Sequence, residues 1–188
     1  MPDLSPEIVA LLVRGRLGNP YRFLAETSST QREIRDDDPE GATVATDHQT
    51  EGRGRLGRVW TDAPGRALLF SVMLRPPVEM ARWPELSLVA GEAVAAAIGA
   101  GAVVSAPNDV MIAGRKVAGV LPEATTGRVV LGIGVNVNQR EDELPPEAVK
   151  PPTSLFVETG VEVERAPLLA AILAELERRY DAWSGVSS

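Results

Sequence analysis

The chain has 188 residues, 44% of them hydrophobic and 24% charged, which is typical of one soluble globular domain with its own core. Its lack of cysteine excludes disulfides, thiolate metal sites and cysteine nucleophiles, and its single histidine, His48, excludes a histidine-rich metal site. The net charge of −7 and the pI near 4.9 argue against general nucleic-acid binding. No apolar run is long enough to span a membrane and no signal peptide precedes the domain, so we expect a cytoplasmic protein.

The N-terminal residues predict one helix followed by one strand. Residues 5–18 are expected to be helical, because Ser5 and Pro6 are typical of a helix start and Gly18 of a helix end. The second and third helices that a winged DNA-binding module would need do not follow. Residues 21–26 instead alternate enough to predict a strand.

Hydroxyl residues at 27–30 end that strand and suit either a helix N-cap or a ligand-facing strand end. The polar run 31–40 predicts a surface helix that ends in an acidic turn. Three adjacent aspartates at 36–38 could suggest a metal site, but before a proline they indicate a solvated turn. Further strands are predicted over 42–47 and over the nearly continuous apolar run 67–75.

The second half of the chain predicts two hairpins between two helices. Tight turns at 113–115 and 125–127 should join successive antiparallel strands, and Trp183 is expected in the core. The predicted elements are a helix over 85–100, strands over 102–105, 110–112, 116–121 and 129–137, a loop over 140–152, and a final helix over 168–183. Residues 1–188 are therefore predicted to form a single α+β domain, whose mixed, mostly antiparallel sheet carries helices on one face.

The most unusual stretch is residues 52–60, Gly-Arg-Gly-Arg-Leu-Gly-Arg-Val-Trp. Its glycines match the spacing of the dinucleotide fingerprint, but a turn-forming segment at 59–65 follows where that motif needs a helix. A P-loop is also excluded, because no Gly-Lys-Ser/Thr follows. Arg53, Arg55 and Arg58 lie among glycines that let backbone amides approach a ligand, so the loop is interpreted as an anion clamp. The alternative is a disordered surface loop.

This loop is one of several motifs that together resemble the catalytic domain of biotin protein ligases. They keep the order and spacing of that family over about residues 22–183. The matching strings are Ser29-Thr30-Gln31, Gln49-x-x-Gly52-Arg53-Gly54-Arg55-x-Gly57-Arg58-x-Trp60, Pro107-Asn108-Asp109, Gly114-Arg115-Lys116-Val117-Ala118-Gly119-Val120-Leu121 and Gly132-Ile133-Gly134-Val135-Asn136.

The resemblance implies a fold similar to class II aminoacyl-tRNA synthetases and a two-step reaction. Biotin and MgATP would give biotinyl-5′-AMP and pyrophosphate, and a lysine of a biotin acceptor domain, the biotin carboxyl carrier protein, would then take the biotin. The implied catalytic residues are Lys116 and Arg53. A cation such as Lys116 also suits the chemistry, because attack of a carboxylate on the α-phosphate brings two anions together.

The resemblance also assigns binding residues. Those implied for biotin are Ser29, Thr30, Gln49, Gly52, Arg53, Lys116 and Gly119. Those implied for ATP and the adenylate are Arg53, Arg55, Arg58, Trp60, Asn108, Lys116 and Asn136. Asp109 could help hold Mg²⁺ or could cap the strand end. His48 is not expected to act as a base, because the attacking carboxylate is already ionised near neutral pH.

The chain departs from the family pattern at one motif. The family usually reads Lys-Trp-Pro-Asn-Asp, whereas Ser105 and Ala106 precede Pro107 here. The family's small C-terminal β-barrel domain and its N-terminal DNA-binding domain are expected to be absent, so a transcriptional role is not expected. Two alternatives stay open, namely a diverged protein that binds biotin or biotinyl-AMP without transfer, and a lipoate or octanoate ligase of the same fold. A homodimer through a sheet edge is possible in this family.

Overall fold

The computed structural model describes residues 3–146 and 149–185, which form a seven-stranded sheet and five α-helices. The strands are β1 (Tyr21–Leu24), β2 (Thr43–Thr46), β3 (Ala67–Leu74), β4 (Val103–Ser105), β5 (Asp109–Ile112), β6 (Arg115–Thr125) and β7 (Arg128–Asn136). The helices are α1 (Pro6–Leu12), α2 (Thr30–Glu33), α3 (Leu86–Ile98), α4 (Leu155–Thr159) and α5 (Arg165–Ser184). No described helix has the length and apolar composition needed to cross a membrane.

The strands lie in the order β1-β2-β3-β7-β6-β5-β4. Only β1 and β2 are parallel, and every other neighbouring pair is antiparallel. The long hairpin of β6 and β7 turns between Thr125 and Arg128, and β5 pairs with β6 through an irregularity at Val110 and Met111. The predicted mixed, mostly antiparallel sheet and both of its hairpins are therefore confirmed.

The two faces of the sheet have different partners. On β3, alternate residues from Leu68 to Leu74 join the main core with α1, α3 and α5, and the same core takes Leu131 and Ile133 of β7. Met73 points to the opposite face, where it belongs to a smaller cluster. Because side chains alternate along a strand, α1, α3 and α5 cover one face, whereas the short α2 lies on the other face, beside the site.

Two predicted helices are much shorter than expected. Helix α1 ends at Leu12, because Val13 is already extended, so the prediction of a helix to Gly18 is wrong. The predicted surface helix 31–40 is also wrong, because α2 ends at Glu33 and Ile34 is extended. Ser29 occupies its N-cap position but makes no side-chain capping bond.

The acidic turn after α2 is exposed at Asp36 and Asp37, as predicted, but is anchored at Asp38. Asp38 is buried and accepts hydrogen bonds from the Arg22 guanidinium and from the backbone N–H of Arg35. The hydrogen bonds from Arg22 hold the pKa of this carboxyl below its ordinary value. These bonds fix the chain in a turn at the point where the polar composition predicted a helix.

The C-terminal half follows the prediction more closely. The predicted stripe on α5 is buried, but Trp183 is only partly buried, since its indole N–H donates to Glu85 and its ring faces Arg82. The predicted loop 140–152 contains one 3₁₀ turn at Glu141–Glu143, and residues 147–148 of it lie outside the described residues.

A buried arginine connects α5 to the sheet. Arg165 is 5% exposed and forms ion pairs with Asp3 and, at 2.8 Å, with Asp47 just after β2. Its Nη1 also donates to the Ala67 carbonyl at 3.0 Å. Removal of this cation would leave Asp47 and a carbonyl of β3 without their partner, which is costly in a buried position.

We predict that Arg165→Ala lowers the free energy of unfolding by about 3 kcal/mol, because it breaks a buried ion-pair network. The control is Arg178→Ala on the same helix, whose exposed side chain pairs only with Glu175 among the described residues and should change stability by about 0.5 kcal/mol at most. Urea unfolding followed by circular dichroism measures both. Equal losses in the two variants would contradict the role given to Arg165.

Candidate active site

The site is built on the sheet face opposite α1, α3 and α5, over a floor of glycines. A Cβ atom at Gly132 would lie 2.8 Å from the Gln31 carboxamide, and one at Gly134 would lie 2.8 Å from the Trp60 indole. At Gly119 on β6 it would lie 3.0 Å from the same indole. Glycine is needed at these strand positions for close approach of other groups to the backbone.

A small cavity of about 50 Å³ lies above this floor. At one side, the backbone N–H and hydroxyl of Thr30 donate to Gln49 Oε1 at 2.9 and 3.2 Å, and the Thr30 hydroxyl also bonds Ser71 at 2.7 Å. Gln31 donates from Nε2 to the Leu121 carbonyl at 3.1 Å. Strand ends and α2 thus present a set of fixed polar groups beside an apolar wall.

Residues 52–60 form a small hairpin over this cavity. Trp60 N–H donates to the Gly52 carbonyl at 3.0 Å, and Gly54 N–H donates to the Arg58 carbonyl at 2.8 Å. A Cβ at Gly52 would lie 2.3 Å from the Trp60 carbonyl, so this position requires glycine. At the tip, Leu56 is 85% exposed. The hairpin directs the Trp60 side chain toward the cavity and places the arginines around this side chain.

The Trp60 indole closes one side of the small cavity. Its ring lies on the glycine floor, and the Lys116 ammonium is 5.5 Å from the ring centroid. The indole N–H is buried and has no hydrogen-bond partner among the described residues. Buried donors are normally satisfied, so this N–H is available to an acceptor group of a ligand.

The three arginines of the hairpin have different surroundings. Arg53 pairs with Glu123 at 2.6 Å, and its backbone forms a bridge with Val59. Arg55 Nη1 donates to Asn108 Oδ1 at 3.4 Å, and Arg58 is exposed at the edge of a second cavity. The anion clamp predicted from the sequence is therefore spread over both cavities, since Arg53 lines the first, Arg58 lines the second and Arg55 lines both.

The second cavity is larger, at about 580 Å³, and adjoins the first. Arg55, Trp60, Asn108 and Lys116 line both cavities. This volume falls in the range of small-molecule sites in proteins. Lys116, on β6 directly after the turn at 113–114, lies at the junction.

The Lys116 ammonium is held by a carboxylate that it shares with another lysine. Asp109 Oδ1 lies 2.8 Å from Lys116 Nζ, and Asp109 Oδ2 lies 2.7 Å from Lys150 Nζ. Burial alone would raise the pKa of Asp109, but hydrogen bonds from the two lysines outweigh it and lower the pKa below its ordinary value. Asp109 is therefore ionised at neutral pH.

These two ion pairs affect whether Asp109 can hold Mg²⁺, which is the role considered for it from the sequence. Both of its oxygens accept from ammonium groups, and residues 3–146 and 149–185 contain no cluster of three or more potential metal ligands. A metal held by the protein alone does not fit these residues. Mg²⁺ commonly reaches such sites with substrate phosphates, which can supply oxygens that the chain lacks.

Two asparagines predicted as nucleotide contacts are fixed in the cavity walls. Asn136 donates to the Thr153 carbonyl and accepts from Gln139, both at 2.9 Å. Asn108 donates to the Val120 carbonyl at 3.0 Å and accepts from Arg55. Their polar groups are largely used in holding the walls.

His48 lies outside both cavities. Its Nδ1 is 2.7 Å from Asp62, whose other oxygen accepts from the Gln49 backbone N–H at 3.2 Å. The pair thus positions the segment that carries Gln49.

Most of the predicted site residues meet around the two cavities, and some unpredicted residues join them. Ser29 is buried and lines neither cavity, and Gly52 acts through the hairpin backbone.

Four residues at the site were not predicted as site residues, namely Gln31, Gly132, Gly134 and Lys150. For Lys150, one sequence signal was available, because lysine occurs only at 116 and 150. The predicted residues that line at least one of the cavities are Thr30, Gln49, Arg53, Arg55, Arg58, Trp60, Asn108, Asp109, Lys116, Gly119 and Asn136.

Known proteins similar to this chain include curated ligases. The bifunctional ligase/repressor BirA of Bacillus subtilis is 36% identical over 170 residues, which are 85% of this chain and 52% of that protein. The biotin–[acetyl-CoA-carboxylase] ligase of Mycobacterium tuberculosis is 36% identical over 183 residues, 88% of this chain and 67% of that protein. The chain spans about half the length of the BirA relatives from Bacillus that it matches.

The fold is also that of a solved ligase. The structure of biotin protein ligase from Aquifex aeolicus in complex with biotin and ATP superposes with a TM-score of 0.81 and 33% sequence identity, covering 90% of this chain and 73% of that one. A family model described as the biotin/lipoate A/B protein ligase family matches residues 23–139, which include the end of β1, all of β2 to β7 and the hairpin at 52–60. These matches show that the chain belongs to the biotin/lipoate A/B protein ligase family.

Proposed function

We propose that this protein is a biotin protein ligase, which activates biotin with MgATP and transfers it to a lysine of a biotin acceptor domain. The observation that carries the proposal is the pair of adjoining cavities with Lys116 at their junction. The small cavity offers fixed hydrogen-bonding groups beside the glycines, and the Trp60 ring, which covers those glycines, would have to move aside for a compact bicyclic head group to fit. The larger cavity is cationic and suits a nucleotide.

In the first step, an oxygen of the biotin carboxylate attacks the α-phosphorus of ATP and pyrophosphate leaves, which gives biotinyl-5′-AMP. Lys116 would lie between the two reacting anions and reduce their repulsion as they approach. Its contact with Asp109 fixes the ammonium, so little reorganisation is needed at the moment of reaction. In the second step, the acceptor amine attacks the acyl carbon of the mixed anhydride and AMP leaves.

The binding roles follow from the groups that each cavity presents. Thr30, Gln31 and Gln49 would hold the polar ring atoms of biotin, and the glycine floor would contact its apolar rings. Trp60 has an unpaired indole N–H and a flat face between the cavities, so it would serve the nucleotide side. Arg55 and Arg58 would contribute positive charge toward the phosphates.

One experiment distinguishes biotin ligation from lipoate and octanoate ligation. ATP–pyrophosphate exchange is measured with biotin, lipoate and octanoate in parallel, and we expect exchange with biotin. Incubation with ATP, biotin and a purified acceptor domain should then biotinylate the acceptor. Exchange only with lipoate or octanoate would overturn the biotin assignment.

A second candidate function is a protein that binds biotin or biotinyl-AMP without transfer. Ser105 and Ala106 favour it, because they replace the cation and the large aromatic residue of the family motif, shortly before Asn108 and Asp109 of the cavity lining. Tight biotin binding by calorimetry, without exchange and without acceptor labelling, would establish this candidate in place of the ligase.

We predict that Lys116→Ala lowers biotin-dependent exchange by about 10²–10³-fold, because the two reacting anions lose the cation between them. The control Arg178→Ala, on the outer surface of α5, should keep full exchange. Biotin affinity measured by calorimetry should fall much less than the rate. A variant with normal exchange would show that Lys116 is not the catalytic cation.

We predict that Arg53→Ala acts mainly on retention of the adenylate. Its ion pair with Glu123 connects the hairpin to β6, so its loss should loosen the cover over the small cavity. The dissociation rate of biotinyl-5′-AMP, followed by stopped-flow fluorescence of the tryptophans, should rise about tenfold or more. An unchanged dissociation rate would remove Arg53 from this role.

We predict that Gly134→Ala reduces biotin-dependent exchange at least about tenfold while the protein stays folded. The added Cβ would lie 2.8 Å from the Trp60 indole and would displace the ring from the floor. The control Ala124→Val adds bulk at an exposed position of β6 and should leave exchange unchanged. Thermal melting checks the fold of both variants, and normal exchange by Gly134→Ala would contradict the assignment of the floor.

A further inference from the structure

The larger cavity is strongly positive within an acidic protein. Its charged lining residues are Arg55, Arg58, Lys116, Lys150 and Asp109, four cations and one anion, which gives a net charge of +3 (4 − 1). The whole chain carries −7. Like charges concentrated in a cavity are unfavourable unless an anionic ligand neutralises them, and they also attract such a ligand.

Lys150 reaches this cavity from a strap, residues 149–153, that runs beside the start of β6. Lys116 N–H donates to the Pro151 carbonyl at 2.7 Å, and Thr153 N–H donates to the Lys116 carbonyl at 2.8 Å. The strap prolines, Pro151 and Pro152, cannot donate and have restricted φ, so the strap is rigid and bonds only through the remaining groups. The backbone that carries Lys116 therefore also positions Lys150.

The ammonium of Lys150 is held at two points. It lies 2.7 Å from Asp109 Oδ2, and it donates to Ser105 Oγ at 3.2 Å. Asp109 is already paired with Lys116 at 2.8 Å through its other oxygen. One carboxylate cannot neutralise two ammonium groups, so this partly buried cluster has a surplus positive charge that faces the cavity.

The position of Lys150 indicates which part of a ligand it meets. Lys116 lines both cavities, whereas Lys150 lines only the larger one, together with Arg58. A side chain at the junction would contact both biotin and the nucleotide. A side chain beyond the junction would contact the nucleotide alone. The surplus charge is therefore on the nucleotide side.

We propose that Lys150 is a phosphate-binding residue of this site, which contacts the phosphate chain of ATP beyond the α-phosphate while Asp109 positions Lys150 and Lys116. This inference rests on the proposed function for the identity of the nucleotide. Ser105 stands where the similar family motif has lysine, and Lys150 brings an ammonium to its hydroxyl from a part of the chain 45 residues away.

The test measures binding of MgATP, of AMP and of biotin separately, by isothermal titration calorimetry. Lys150→Ala should weaken MgATP binding about tenfold or more, change AMP binding less than about threefold, and leave biotin binding unchanged. Lys150→Arg should keep most of the MgATP affinity, because it keeps the charge. Arg178→Ala makes the same change of net charge on the far side of the molecule and should have no effect.

A charge-relocation variant separates lost charge from a displaced strap. In Ser105→Lys combined with Lys150→Ala, a lysine on β4 should return an ammonium to the same place and restore MgATP affinity to within about threefold. No recovery would overturn the proposal, because the loss would then come from the strap. Equal weakening of AMP and MgATP, or MgATP affinity unchanged by Lys150→Ala, would also overturn it.

These outcomes are distinct from those that concern the ligase function. A protein that binds MgATP in a Lys150-dependent way but shows no biotin-dependent exchange would refute the ligase and support the role of Lys150. A protein that binds neither MgATP nor pyrophosphate would refute both.

Discussion

The register of β7 against β3 and β6 is the constraint on which the rest of this structure depends. Alternate residues of β7, such as Leu131 and Ile133, pack into the helical core, while Gly132 and Gly134 between them form the floor of the site. A slip by one residue would place glycines in the core and branched side chains in the cavity. The same hydrogen-bonded register therefore secures both the stability of the domain and the space for its ligand.

A second constraint is electrostatic. Asp109 lies between the ammonium groups of Lys116 and Lys150, so its charge fixes the positions of two cations that would otherwise repel one another. Burial of such a cluster is tolerated because the carboxylate is ionised and bonded through both oxygens. The remaining positive charge is exposed to the cavity, where an anionic substrate can meet it, while the rest of the chain is acidic.

Several patterns that depend on near neighbours were predicted correctly from the sequence, although the local signals at Ser5 and Gly18 predicted too long a first helix. The buried strand β3, the hairpin of β6 and β7, and the stripe of α5 follow from local periodicity and turn residues. The helix predicted over 31–40 failed because long-range contacts decided its conformation. Asp38 is bound by Arg22 of β1, and Gln31 is buried against β6, which local polarity could not indicate.

By itself, the sequence determined the fold class, the motif order and the cationic loop, because these depend on residue type and spacing. Only the tertiary structure decided which groups meet. It paired Lys150 with Asp109, engaged both asparagines in the walls and paired Arg53 with Glu123. The physical reason is that side chains far apart in the chain become neighbours only through strand order and register, and charge pairing depends on distances of a few ångströms.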